Sequence, residues 1–333
     1  MPDRQCKQGP SGRDGARIFI GFSPHYLEAI PLLLARMEAC ETIILEEPPT
    51  PEFNAMLRGD LAIETYLLQL DAGFPLFVQE MCKELQTLFA RGKRILQVEP
   101  FLDGLARIHE SFADGGTPAD ILNTEGLREI YLAEKEATGA LLAFYSQSVT
   151  GDFRDLTESV RTFSRLDANR IRMRDFLRAK AIVEVTANGG SFFVEAGYIH
   201  YGLYRFLRKS CGTSSLQPVF VLQPAIEQMG ARRRNIGPGD VLTLRYVLHD
   251  DVPDHLADLL AARSLIAVQL VVKEELTPNG SNSSYPQCEN DALVNALVDT
   301  LAYDQCRHLY KRIRGKSRSD AWEYARQYIQ AGG

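Results

Sequence analysis

Short runs of apolar residues alternate with longer amphipathic stretches along the first third of the chain. Arg17 to Phe22 reads RIFIGF, Thr42 to Leu45 reads TIIL and Arg94 to Val98 reads RILQV, each typical of a buried strand. The stretches between these runs have helical spacing. Strands that alternate with helices pair in parallel through right-handed crossovers. The pattern therefore predicts an α/β fold with a central, mostly parallel sheet and flanking helices.

The alternation is interrupted by residues 101–180, whose mostly helical pattern predicts a helical insertion. A further apolar strand begins at Ser191. Gln217 to Gln223 and Asp240 to Leu248 have the composition of two more strands, separated by Gly237-Pro238-Gly239. Helices are expected at 255–272, 290–313 and 320–329. We therefore expect a flexible tail at 1–16, an α/β core at 17–275 and a helical C-terminal appendage at 288–333.

Composition narrows the classes of partner and compartment. Of the 333 residues, 45% are hydrophobic and 24% are charged, as in a globular protein. The formal net charge of -6 argues against a nucleic-acid partner. No apolar run approaches the roughly 18 to 20 residues of a membrane span, and the first residues lack the core of a secretory signal. With six cysteines and no C-x-x-C pair, the chain is expected to be cytoplasmic with free thiols.

Polar side chains follow the predicted strands at the edge where open α/β sheets bind their ligands. His25 follows the first strand, Glu46 the second, Glu99 the third and His200 the fourth. Because the carboxyl ends of parallel strands converge, we expect one site. His25 is also expected in the first turn of a helix after Ser23 as N-cap, where the dipole favours a neutral ring.

Two histidines and a carboxylate are suitable ligands for a divalent transition metal such as Mn, Zn or Co. In this interpretation His25, Glu46 and His200 bind the metal, which lowers the pKa of a bound water. In the alternative the histidines cap helices or form ordinary hydrogen bonds, and spacing alone favours that alternative. A rival metal cluster from His249 to His255 is more simply a solvated turn.

Arg174 and Tyr198 also allow two interpretations each. Arg174 belongs to an arginine-rich helical stretch at 169–181, which is either a solvated face or a source of one inward arginine that holds a carboxylate or an anionic substrate. Tyr198 lies beside His200 and either lines a pocket for a flat ligand or belongs to the core. The local motifs of nicotinamide, nucleotide-hydrolysing, zincin and serine-hydrolase enzymes are absent.

The order of these motifs resembles a superfamily that contains TraB/PrgY-like proteins, Tiki proteases, erythromycin-esterase-like enzymes and ChaN-like haem-binding proteins. The resemblance covers about residues 17–210 and is carried by Gly21 with His25, Glu46, Arg174 with Asp175, and Gly197 with His200. Gly197-Tyr198-Ile199-His200 matches the family's G-x-x-H directly. The first motif, which ends at His25, has one residue more and contains a proline.

The resemblance implies an α/β core with helical insertions and hydrolysis of a small ester, amide or peptide bond. Glu46 and the two histidines would bind metal or activate water, and Arg174 would position the carboxylate or the substrate. Glu99 and Tyr198 are our candidate substrate contacts.

Two other functions stay open at this point. A non-catalytic protein of the ChaN-like type would bind haem or a metal complex, with a histidine or tyrosine as axial ligand. A third interpretation is a protein that acts through interactions of its C-terminal helices. The expected partner is a small-molecule or peptide substrate, with no nucleic acid and no membrane span, and a homo-oligomer is left open.

Overall fold

A five-stranded parallel sheet forms the centre of the protein. The structure is a computed structural model that describes residues 15–70, 73–211, 215–230, 235–249, 251–278 and 283–331. The strands are β1 (Arg17–Phe22), β2 (Thr42–Leu45), β3 (Arg94–Gln97), β4 (Ser191–Ala196) and β5 (Ser215–Phe220). Their order is β3-β2-β4-β1-β5, and every pair is parallel. The predicted α/β fold with its parallel sheet is confirmed.

Strand β4 lies in the middle of the sheet and is buried at all six positions. Alternate side chains enter the two cores on either face, so Phe193 packs with one helical layer and Val194 with the other. The ring of Phe193 covers β1 at Gly21, where an added Cβ would lie 2.2 Å from a ring carbon. Gly21 is therefore required by this close packing.

Helices that cover the sheet begin, in several cases, with a proline at the first helical position, where the missing N–H costs no hydrogen bond. The helices of this part of the chain are α1 (Ile30–Glu38), α2 (Pro51–Arg58), α3 (Ile63–Leu67), α4 (Pro75–Ala90), α5 (Pro100–Ala113), α6 (Pro118–Leu122), α7 (Arg128–Thr150) and α8 (Phe153–Thr186). Of these, α6 and α7 pack with α5 and α8 in a small core of their own. A single 3-10 turn, Leu27–Ala29, precedes α1.

The 34-residue helix α8 contacts two different cores. Near its beginning, Phe153 and Leu156 pack into an all-helical core. Near its end, Ala179 and Ile182 pack on the sheet. The helix therefore joins the sheet to a helical layer that follows it in the chain.

That helical layer comes from the last third of the chain. Before it, a 3-10 turn at Tyr198–His200 leads into α9 (Tyr201–Ser210), and both α9 and α10 (Gln223–Gln228) pack into the cores on the sheet. The members of the helical layer are α11 (Pro238–Leu248), α12 (Asp254–Leu270), α13 (Pro286–Val298), α14 (Tyr303–Ile313) and α15 (Arg318–Gln330). Helices α11 to α15 share one apolar core with the start of α8. Trp322 of α15 is buried there and donates its indole N–H to the carbonyl oxygen of Leu270 at 2.9 Å.

Three local predictions were wrong. Asp240 to Leu248 is helix α11 rather than a strand, because Leu242 and Val247 lie on a helical face that packs against α8 and α12. The expected helix at 290–313 is two helices, since α13 ends at Val298 and α14 begins at Tyr303. Ser23 does not cap a helix, because its hydroxyl donates to the carbonyl of Pro24 and α1 begins later.

Some predicted features fall outside the described residues. They are residues 1–14 of the expected tail, Asp250 of the rival metal cluster, and Gly332 and Gly333 of the expected appendage. Within the described ranges, no helix combines the length and apolar character needed to cross a bilayer.

Candidate functional site

A charged cluster is buried at the C-terminal edge of the sheet, with His200 at its centre. The Nδ1 atom of His200 lies 2.6 Å from Oδ1 of Asp175, and Nε2 lies 2.8 Å from Oε1 of Glu46. The 3-10 turn after β4 directs His200 inward, and α8 supplies Asp175. Burial lowers the pKa of His200, but the two carboxylates raise it more, to about 9. The imidazole is therefore protonated at neutral pH.

Both carboxylate oxygens of Glu46 are occupied. Besides His200, Oε1 accepts a hydrogen bond from Nη2 of Arg174 at 3.2 Å. Oε2 accepts the backbone N–H of Gly197 at 2.8 Å and lies 3.5 Å from Nη1 of Arg178. Burial raises the pKa of Glu46, but His200 and the two arginines outweigh burial and hold that pKa well below its usual range. Glu46 is therefore an ionised, fully bonded carboxylate.

The two arginines of α8 connect the helix to the ends of neighbouring strands. Arg174 reaches Oε2 of Glu99 at 3.4 Å, while the other oxygen of Glu99 caps α5 by accepting from the N–H of Phe101. Arg178 is 1% exposed and donates to the carbonyl oxygens of Val98 at 2.9 Å and Glu195 at 2.7 Å. These bonds hold the edges of β3 and β4 against α8.

The expected metal ligands do not fit a metal ion in this arrangement. His200 bonds a carboxylate through each ring nitrogen, so neither nitrogen has a free lone pair. The guanidinium groups of Arg174 and Arg178 lie against Glu46, where a second cation would be repelled. Among the described residues, no three His, Cys, Asp or Glu side chains are grouped to hold a metal.

Two further carboxyl groups lie beneath the cluster. Glu195 of β4 is 8% exposed, and burial together with the nearby charge of Glu46 raises its pKa to about 7. Burial also raises the pKa of Glu47, whose Oε2 accepts from the Nε2 of Gln97 at 2.9 Å. Glu195 can therefore hold a proton close to neutral pH.

A crevice of about 620 Å³ opens between the strand ends and the helical layer. Its walls include His25 and Tyr198 from the sheet side and Asp240 and Asp291 from the helical side. The ring of His25 stacks on Phe77 with 5.0 Å between centroids. Burial lowers the pKa of His25, so the ring is neutral at neutral pH. The carboxylates of Glu46 and Glu47 act in the opposite direction.

The residues predicted from the sequence are thus divided between two neighbouring places. His25 and Tyr198 line the crevice, whereas Glu46, Arg174, Glu99 and His200 form the buried cluster. Gly197 belongs to both, because it lines the crevice and bonds Glu46.

Several participants were not among the predicted site residues. Asp175 carries part of the resemblance, and Arg178 could have been found from its spacing, one helical turn after Arg174. Glu195 lies inside an apolar strand, where an acidic residue is itself a signal. Asp240 and Asp291 come from helices whose packing the local pattern does not reveal. The neutral state of His25 comes from burial, not from a helix dipole, because His25 precedes the 3-10 turn.

Comparison with other proteins gives one clear similarity. A protein of Archaeoglobus fulgidus, described as uncharacterized, is 29% identical to the chain over 286 residues, which covers 86% of this chain and 95% of the archaeal one. No family model matches the chain, and no solved structure matches it. The similarity covers most of both chains, but it carries no activity with it.

Proposed function

We propose that the protein hydrolyses an ester, amide or peptide bond of a small molecule bound in the crevice, with a water activated by His25 instead of by a metal. One observation carries the proposal: a neutral imidazole lies on the crevice wall, within the electrostatic field of two carboxylates. A general base must be unprotonated at rest and must gain stability as it takes a proton. Burial supplies the first property of His25, and the charges of Glu46 and Glu47 supply the second.

The buried cluster has a supporting role in this proposal. Glu46 is kept ionised by His200 and Arg174, so its negative charge is available to stabilise the imidazolium that forms on His25. The charge of His200 acts against that stabilisation. In this proposal Arg174 positions Glu46, the role that the resemblance implies, and Glu99 holds Arg174 from the other side. Tyr198 would contact the substrate in the crevice.

Hydrolysis of a panel of aryl and alkyl esters and amides by His25→Asn tests the proposal. The expected result is a loss of kcat/KM on the order of 100-fold or more, the range of general-base contributions. His109→Asn is the matched control, because His109 is an exposed histidine of α5. Equal activity of the two variants would overturn the assignment of His25.

Two further measurements distinguish the proposal from metal-dependent hydrolysis and from haem binding. Activity that disappears with a chelator and returns with Mn, Zn or Co would overturn the metal-free proposal in favour of the metal interpretation. A Soret band on titration with haemin, in a protein that hydrolyses none of the panel, would favour the haem-binding alternative.

A further inference from the structure

A groove of about 540 Å³ lies between α14 and α15, in the C-terminal part of the chain. It is lined by His308, Lys311 and Arg312 of α14 and by Tyr328 of α15. None of these four residues lines the crevice, so the groove is a separate place on the protein. Its volume lies in the range of pockets that hold small molecules.

The sequence of α14 places three basic residues together on the outer face of the helix. On the inner face, Leu309 and Ile313 are buried in the all-helical core. His308 is three residues from Lys311 and four from Arg312, a spacing that makes side chains neighbours on a helix surface. All three are exposed. The helix therefore presents a basic stripe to the groove.

Basic side chains beside the groove have partners within the protein. Arg307 forms an ion pair with Asp304 at 3.0 Å, and Nη2 of Arg314 donates to the carbonyl oxygen of Val149 at 2.7 Å. The three basic residues of the groove differ, because none of them forms a hydrogen bond or an ion pair with any residue that the structure describes. Their donors are therefore available to a ligand.

A basic stripe of this kind is unfavourable without a counter-charge, since like charges one helical turn apart repel each other. The dipole of α14 favours cations in its last turn, where Lys311 and Arg312 lie. The dipole does not account for the groove beside them, which no acidic residue lines. An anion in the groove would supply the missing counter-charge.

We infer that the groove between α14 and α15 binds a small phosphate-bearing anion, such as a diphosphate. The planar fork of Arg312 and the point charge of Lys311 approach an anion from different directions, and the hydroxyl of Tyr328 supplies a further donor. A phosphate has three acceptor oxygens to receive them, whereas a carboxylate has two in one plane.

The charge of the whole chain sets the size of the ligand. A formal net charge of -6 repels a long polyanion such as a nucleic acid, which would extend past the groove. A small anion contacts only the basic stripe. The inference does not rest on the proposed hydrolysis, which can fail without any effect on binding in the groove.

Titration of inorganic pyrophosphate into the full chain, followed by calorimetry, tests the inference. In the double variant Lys311→Gln with Arg312→Gln we expect the affinity to fall roughly 100-fold or more, since two charge-assisted hydrogen bonds are lost. The control is Arg307→Gln with Lys316→Gln, which removes the same charge from residues that do not line the groove. It should keep nearly the wild-type affinity. Equal losses in the two double variants, or no binding to the wild type, would overturn the inference.

A second readout locates the bound anion without any substitution. Pyrophosphate is titrated into protein with 13C-labelled histidine, and the Cε1–Hε1 signals are followed by NMR. We expect a saturable shift of the His308 signal and none of the signal of His109, which is exposed on α5. A saturable shift of another histidine without one of His308 would place the anion elsewhere and overturn the inference.

Two other probes test the chemistry and the source of the phosphate. Citrate, which carries carboxylates only, should bind at least about 10-fold more weakly than pyrophosphate, and equal affinity would overturn the phosphate assignment. Vesicles of phosphatidylcholine with phosphatidic acid present a phosphate on a lipid. If the protein binds these vesicles but not pyrophosphate, the ligand is a lipid headgroup and the inference of a small anion is wrong.

Discussion

Oδ1 of Asp175 lies 2.6 Å from Nδ1 of His200, and the two side chains are 0% and 5% exposed. One residue comes from the middle of a long helix and the other from the turn after the central strand. A buried ion of this kind is costly to leave alone, because the protein interior cannot replace the water that it has lost. The pair therefore ties α8 to the sheet edge.

Replacement of Asp175 by asparagine should destabilise the protein strongly, since it leaves His200 with one carboxylate instead of two. We expect the free energy of unfolding in urea to fall by about 3 to 5 kcal/mol, the usual cost of breaking a buried pair. The control is Asp254→Asn, because Asp254 is 84% exposed in its ion pair with Arg161 and such pairs contribute less than about 1 kcal/mol. Similar losses in the two variants would contradict the buried-pair interpretation.

The protonation of His200 predicts a stability that depends on pH. Its pKa rises from 6.5 to about 9 on folding, so the stabilising contribution is complete below pH 6.5 and is lost as the pH rises through 9. Between pH 7 and 9 we expect the free energy of unfolding to fall by about 2 kcal/mol. The measurement is urea unfolding at each pH, compared with His200→Gln, which should lack this part of the slope. If the free energy of unfolding falls equally steeply with pH in the wild type and in His200→Gln, His200 is not the cause of the pH dependence.

Two helical glycines should respond in opposite directions to alanine. In α9, a Cβ on Gly202 would lie 2.5 Å from Oδ2 of Asp175, so Gly202→Ala must displace the buried carboxylate. We expect a loss of about 1 to 3 kcal/mol. In α7, Gly139 is exposed and an added Cβ meets nothing within 4 Å. Gly139→Ala should stabilise the protein by about 0.5 to 1 kcal/mol. In thermal unfolding we therefore expect a lower Tm for Gly202→Ala and a higher Tm for Gly139→Ala than for the wild type.

Glu275 connects the helical layer to α4. Its two carboxylate oxygens accept the N–H groups of Leu76 at 2.9 Å and Phe77 at 2.8 Å, in the first turn of the helix. Glu275→Ala should cost about 1 to 2 kcal/mol, as the loss of a helix cap does. It should also speed amide exchange at Leu76 and Phe77. The neighbouring Glu274 is exposed, so Glu274→Ala should leave both measurements unchanged.

The sheet could be predicted from the sequence because the features that mark its strands are local. The runs that became β1, β2 and β3 are short, apolar and followed by turn residues, and His25, Glu46, Glu99 and His200 could be placed at strand ends for the same reason. The α11 segment was misjudged because Val241, Leu244 and Val247 suit a strand equally well, and packing against α8 decides the outcome.

The cluster itself could be predicted only in part. Arg174 was singled out, but the direction of a side chain on a 34-residue helix depends on what packs around it, so its contacts with Glu46 and Glu99 could not be derived from spacing. The division between crevice and cluster was also hidden, because it depends on how α8 and the helical layer pack against the strand ends. Such features belong to three-dimensional packing, which a one-dimensional pattern does not contain.

The strand order also affects the timing of folding during synthesis. β1 pairs only with β4 and β5, and Arg17 lies beside Ser191, so the first strand to leave the ribosome has no partner until most of the chain has been made. At typical rates of translation that delay is on the order of 10 to 30 s. For that time β1 and β2 are separated by the place that β4 will fill, and their apolar edges are open to other chains. Chaperones that bind extended apolar segments are therefore expected to matter for this protein during synthesis more than after it.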